Sequence, residues 1–244
     1  SSMSEAQDFN TLAEGKQLKV HVTVDTGMGR GGFLPDELPS LMPELENLAN
    51  LHIEGIGSHL PSADEDEAFT KAQYNQFDGL IQKLGPDRFQ YIHLANSAGI
   101  LSYQSRYTNL HRPGIMLYGI SPMEQFQKEL RPVLSLKSKV SLVRNLPAGQ
   151  GISYGRETIL EKNTRVATVG IGYGDGYPRA VSSHHASVLI RGVRCPLLGR
   201  VTMDQIMVDV SALPECQSGD DVELFGENIL VSEVARLAGT IPWA

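Results

Sequence analysis

The sequence predicts an α/β segment followed by an all-β domain, and three observations carry that prediction. Up to about residue 121, β-branched runs alternate with stretches of helical apolar spacing. From Pro132 onward apolar residues recur with period two and helical spacing almost vanishes. Between them Ser121-Pro122 punctuates the chain, so the domains are expected at 1–121 and 122–244. Strands alternating with helices imply parallel pairing, hence an α/β layer or a (β/α) barrel. A complete eight-stranded barrel takes about 250 residues. Roughly half of that precedes the change of period, which leaves a small open sheet or part of a barrel.

In chain order, Lys19 to Asp25 is β-branched and strand-like, and the glycines from Gly27 to Gly32 end it. Pro35 to Asn50 reads as a helix with Leu38, Leu41, Leu45 and Leu48 on one face. Leu51 to His59 is the next strand. Ser62-Ala63-Asp64-Glu65 fits a capped, acidic helix start, and Gly85-Pro86 stops that helix. Phe89 to Leu94 is a third strand, a short helix opens at Ser97, and Leu110 to Tyr118 is a fourth strand interrupted by Pro113-Gly114. In the second half, Val133 to Val143, Arg165 to Tyr173, Ala186 to Ile190, Val193 to Leu198, Gln205 to Val210 and Asp221 to Phe225 read as strands. Ile190-Arg191-Gly192-Val193 reads as a tight hairpin and Val231 to Leu237 as one helix. This half is expected to be barrel-like.

Composition narrows the function. The 244 residues are 41% hydrophobic and 20% charged, ordinary for a globular chain. A net charge of −7 disfavours a nucleic-acid backbone as partner. No apolar run is long enough to span a membrane, and the first residues carry no signal-peptide pattern. Ser1-Ser2 ahead of Met3 reads as a vector-derived remnant. Two cysteines, Cys195 and Cys216, give no disulfide framework, and the seven histidines, His184-His185 included, show no metal-ligand spacing. A reducing, cytoplasmic setting with no metal is expected.

Chemistry gathers at the expected C-terminal ends of the first-half strands, the edge where parallel α/β folds bind ligands. Arg30 follows the first strand, His59 ends the second, His93 and Ser97 follow the third, and Arg112 enters the fourth. Ser97 at a helix start and the Gly114 and Ile115 N–H groups read as a phosphate cradle, with plain caps and turns as the simpler reading of each. Arg112 adds a permanent cation. In the second half, Tyr154 sits in the glycine-rich turn Gly149 to Thr158. It reads either as a tyrosine capping a hydrophobic edge or as a hydroxyl offered to a group outside the local fold.

Five ordered blocks closely resemble the alanine racemases, which use pyridoxal phosphate (PLP). They are Val24 to Arg30, His93 to Ala98, His111 to Gly119, Ile152 to Gly155, and Gly199 to Gln205. The resemblance implies that residues 1–121 are the last four strands of a PLP-binding (β/α)8 barrel, the C-terminal half, followed by a C-terminal β-barrel-like domain. It implies that Ser97, Gly114 and Ile115 bind the cofactor phosphate. Arg112 faces the pyridine nitrogen, with His93 behind it and His59 nearby. Arg30 and the Met203 backbone hold the substrate carboxylate, and Tyr173 and Asp204 line the approach. Tyr154 is one of two catalytic bases, donated across a homodimer interface. The activity implied is interconversion of L- and D-alanine by two-base proton transfer, which supplies D-alanine for the cell wall. A phenol is a weak base at neutral pH, so the reading expects a nearby cation such as Arg30 or Arg112.

The chain departs from the family pattern in three places. The segment with the cofactor-carrying lysine is missing; Lys16 and Lys19 precede the wrong strand. The chain stops at Ala244, where the family continues with a phosphate-binding tyrosine. Thr23 stands where many relatives carry a modified lysine beside the arginine equivalent to Arg30. A C-terminal fragment, inactive alone, is therefore expected. The alternatives are a racemase for serine or another amino acid, a related PLP decarboxylase, whose Gly-rich phosphate loop and Cys-Asp element are missing here, and a non-catalytic dimerisation or cofactor-binding piece.

Overall fold

The computed structural model describes residues 1–183 and 186–242; the pair His184-His185 lies outside the described residues. The chain divides into two compact units, Ser1–Leu117 with Ser121–Glu129, and Tyr118–Ile120 with Leu130–Ala244. No helix among the described residues is long and apolar enough to cross a membrane.

The first unit runs α1 (Met3–Leu12), β1 (Leu18–Thr23), α2 (Leu38–Glu46), β2 (Leu51–Gly57), α3 (Glu67–Leu84), β3 (Tyr91–His93) and α4 (Ser97–Ser102). Its three strands lie in the order β1-β2-β3, all parallel. Thr23 pairs with Gly57 and Gly57 with His93, so the three strands finish level and their loops leave from one edge. The core between sheet and helices is Val22, Val24, Leu38, Met42, Ile56, Leu60, Phe77, Ile81 and Leu94.

Several expected boundaries move, each for a physical reason. The fourth strand, Leu110 to Tyr118, is not formed: one parallel bridge joins Leu110 to His93, and Ile115–Tyr118 then coils as a 3₁₀ turn. Pro113 lacks the N–H that a ladder needs. α3 begins at Glu67 rather than near Ser62, because the Asp66 carboxylate accepts from the Phe69 N–H at 2.9 Å and supplies the cap. α2 is shorter than Pro35 to Asn50 and buries Leu38, Met42 and Leu45. α1 is not anticipated by the sequence pattern; only Met3 and Ala6 of it pack against the core.

The second unit contains β4 (Leu136–Leu146), β5 (Gly151–Ile152), β6 (Thr158–Ile159), β7 (Thr164–Val169), β8 (Ser187–Ile190), β9 (Val193–Leu198), β10 (Ile206–Asp209), β11 (Asp221–Phe225) and α5 (Val231–Ala238). Six strands close a barrel in the order β10-β7-β4-β11-β8-β9, and β5 pairs with β6 outside it. Val140, Ala167, Val169, Val188, Ile190, Ile206, Val208, Val222 and Leu224 fill the barrel. The hairpin at Arg191-Gly192 has positive φ at both central residues, 49° and 80°, the twist a two-residue hairpin favours.

Candidate active site

The level edge of the first unit is built around two glycines of β2. A side chain at Gly55 would crowd the His21 ring, and one at Gly57 would overlap the His93 ring. Their absence lets an imidazole from β1 and one from β3 meet across β2. His21 Nδ1 lies 2.8 Å from His93 Nε2. His93 Nδ1 in turn bonds Arg112 Nη1. Arg112 Nη2 donates to the carbonyls of Ser58 at 2.5 Å and Leu94 at 3.2 Å, and His59 Nδ1 lies 3.5 Å away. The Arg112 N–H donates to Ala95 at 3.1 Å. The guanidinium is thus tied to the ends of β2 and β3, and through His93 to His21 of β1.

The electrostatics point to an anion. Burial pushes the half-buried Arg112 down from its usual range, and the charge of Arg30 pushes the same way. His59 is lowered first by burial, then by Arg112 and Arg30, so it stays neutral at pH 7. Among the described residues neither arginine has a carboxylate partner.

Arg30 stands on the turn from Asp25 to Gly32. The Asp25 carboxylate organises that turn by accepting from the N–H groups of Gly27 at 2.8 Å and Gly29 at 3.1 Å, and these bonds hold its pKa low. Phe33 closes it by bonding back to Thr23 and Asp25. Gly27 and Gly29, with φ of 134° and 67°, take conformations that side chains disfavour. The turn carrying Arg30 is therefore braced by Asp25. Thr23, Met28, Arg30 and His59 line a cleft of about 270 Å³ at this edge.

Ser97 begins α4, where Asn96 caps the Gly99 N–H. The buried Ser97 hydroxyl accepts from the Gly114 N–H at 2.9 Å and the Met116 N–H at 3.4 Å. Ser97, Gly114 and Ile115 are thereby brought together as expected. Gly114 is exposed, and a Cβ there would meet nothing nearer than Ser97 Oγ at 3.9 Å.

In the second unit one segment, Gly199 to Gln205, gathers the remaining candidates. Ser153 Oγ donates to the Arg200 carbonyl at 2.7 Å, and Gly199 N–H donates to Thr158 Oγ1 at 3.1 Å. Arg200 grips Glu157 with two bonds, through Nε at 2.9 Å and through Nη2, and these bonds, with its charge, lower the Glu157 pKa. On the other side, Tyr173 N–H donates to Thr202 at 3.0 Å and Gly174 N–H to Met203 at 2.8 Å. Tyr154, Tyr173, Met203 and Asp204 therefore belong to loops joined by this one segment. Tyr154 is 69% exposed, which removes the reading of an edge-capping residue. Its neighbours are strained: Ser153 (φ 59°, ψ −172°) and Arg156 (φ 49°) are non-glycine residues at positive φ.

Sequence reasoning missed His21, Asp25 as an organiser, Ser153, Glu157 and Arg200. Their roles come from contacts across strands and loops that local spacing does not carry. Lys16 and Lys19 are placed as expected, at the start of β1 and away from the level edge; Lys19 Nζ pairs with Glu54 at 2.5 Å.

Residues 1–122 match the family described as alanine racemase, N-terminal domain, and residues 133–244 match alanine racemase, C-terminal domain. An alanine racemase of Halothermothrix orenii is 40% identical over 232 residues, covering 91% of this chain and 61% of that protein. One of Clostridium tetani is 41% identical, covering 91% of this chain and 60% of that protein. The crystal structure of the biosynthetic alanine racemase of Pseudomonas aeruginosa superposes with a TM-score of 0.87 at 35% identity, over 99% of this chain and 67% of that one. The chain thus spans about three fifths of the length of the curated relatives it matches. On two domain matches in order, and on likeness in both sequence and structure, the chain belongs to the alanine racemase family.

Proposed function

We propose that the whole protein is a PLP-dependent alanine racemase. In this reading the first unit is the C-terminal part of a (β/α)8 barrel and the second its β domain, with the divide near 121. The observation that carries the reading is the Arg112 cluster at the level strand edge, beside the Ser97–Gly114 cradle.

The donor set fits PLP. The Ser97 hydroxyl hydrogen and the Ile115 N–H would suit a phosphate, with the Gly114 N–H, here given to Ser97 Oγ, beside them, and Arg112 would suit a ring nitrogen that accepts a hydrogen bond. When bound, the cofactor supplies delocalisation of the charge left as the α-proton departs. Arg112 only donates, so it disfavours a proton on that nitrogen and moderates the electron pull. His93 holds Arg112 in place, and neutral His59 adds no second charge beside it. Arg30 binds the substrate carboxylate together with the Met203 backbone of a second copy. Tyr154 of that copy removes or returns the α-proton at one face, because racemisation needs acid–base groups on both faces. Tyr173 and Asp204 line the approach. The opposing base is a lysine that Lys16 and Lys19 do not supply, so the 244-residue chain alone is inactive. The partner is a homodimer, the substrate a small amino acid with alanine favoured over serine, and the setting the cytoplasm.

The test is Tyr154→Phe in the whole protein. It is expected to lower kcat at least a hundredfold and to abolish solvent-deuterium exchange from one enantiomer while sparing the other. Undiminished racemisation in both directions would overturn the reading.

A further inference from the structure

Six polar side chains are buried among the described residues, and three of them, Thr26, Ser58 and Gln73, form one cluster beneath the site. Gln73 lies on α3 and is 1% exposed. Its Nε2 donates to the Thr26 carbonyl at 3.1 Å and to Thr26 Oγ1 at 3.2 Å, and it reaches the His59 carbonyl at 3.4 Å. Thr26 Oγ1 and Ser58 Oγ share a hydrogen bond of 2.7 Å. With the amide turned toward two carbonyls, Gln73 Oε1 is left buried without a partner. The reversed amide would set Oε1 against the Thr26 and His59 carbonyl oxygens, so these two carbonyls fix the orientation even though Oε1 is left unpaired. Thr70, one turn earlier, instead folds its hydroxyl back onto the Asp66 carbonyl at 2.7 Å.

The groups that Gln73 ties together carry the site. Thr26 opens the turn that bears Arg30. His59 and Ser58 follow β2, and the Ser58 carbonyl also receives Arg112. Gly27 rests on the same helix face: a Cβ there would lie 2.7 Å from Phe69 and 3.4 Å from Gln73 Nε2. The Phe69/Gln73 face of α3 is the bed on which the turn sits.

We infer that Gln73 is a positioning residue that fixes the Arg30 turn against His59 and Ser58, and so sets where the substrate carboxylate is held. This rests on the function proposed above. Gln73→Leu removes the donors at similar size. Thr26→Val is the milder second variant, removing the hydroxyl and keeping the carbonyl, and Thr26→Ser restores the hydroxyl. In the 244-residue chain, Gln73→Leu is expected to speed amide exchange at Gly27 and Gly29 at least tenfold, with β7 and β8 unchanged. In the whole protein it is expected to raise the KM for alanine at least tenfold and to change kcat less than threefold. Thr26→Val shifts both in the same direction by less, and Thr26→Ser recovers them. A KM within twofold of the unaltered protein in both Gln73→Leu and Thr26→Val, or unchanged exchange at Gly27 and Gly29, overturns the inference. A whole protein that racemises normally with Tyr154→Phe sinks the function instead, while the exchange rates still report on Gln73.

Discussion

Ser153 shows how one residue can hold a reactive neighbour in place. Its backbone lies in a region that is otherwise glycine territory, and its hydroxyl is bonded to the Arg200 carbonyl. Such conformations cost about 1–3 kcal/mol. Ser153→Ala keeps the strain and loses the bond, so it should destabilise by about 1 kcal/mol. Ser153→Gly loses the bond and relieves the strain, so it should be neutral or stabilising; urea denaturation of both variants checks the contrast. His59 makes a second residue-scale prediction. Its folded pKa lies below the unfolded value of about 6.5. As pH falls through 6.5 the unfolded chain binds a proton that the folded chain resists, so stability is lost on that side and gained as pH rises. His59→Gln should flatten the stability profile between about pH 5 and 7, read as Tm against pH. Burial first, then the charges of Arg112 and Arg30, set the direction.

At the scale of elements, the glycines of β2 matter more than any single contact they allow. Gly57→Ala is expected to push the His93 ring away from Arg112 and cost about 1–3 kcal/mol, measurable as a lowered Tm with the β-barrel unit unaffected. The same element shows what the sequence could disclose. β9 and β11 fall on the expected residues because half-buried strands announce themselves by period two. β2 and β3 lie where expected but end earlier, at Gly57 and His93 rather than His59 and Leu94. Leu110 to Tyr118 was misread because its apolar content looks like a strand while Pro113 forbids the ladder. α1 was invisible because it offers only two small or flexible contacts to the core. Arg30, His59, His93, Ser97 and Arg112 were singled out from position along the chain, as candidates. Gln73 and Arg200 were not, since each acts on residues more than forty positions away.

At the scale of the whole molecule, the two units manage their strands differently. The six-stranded barrel has no free edge, whereas the three-stranded sheet leaves one side of β1 unpaired. Amides of β7, β8 and β10 should therefore exchange more slowly than those of β1, and heating should melt the first unit before the second; exchange by mass spectrometry checks the order. The chain of rings laid over Gly55 and Gly57 has a sense of direction. A guanidinium gives hydrogens and takes none, so His93 must turn a lone pair toward Arg112 and carry its own hydrogen on Nε2. That hydrogen points at His21 Nδ1, leaving His21 to carry its hydrogen on Nε2. Two imidazoles that look interchangeable are thereby locked into a single tautomer each, and every proton along the line is offered outward from the arginine, from the site toward the surface.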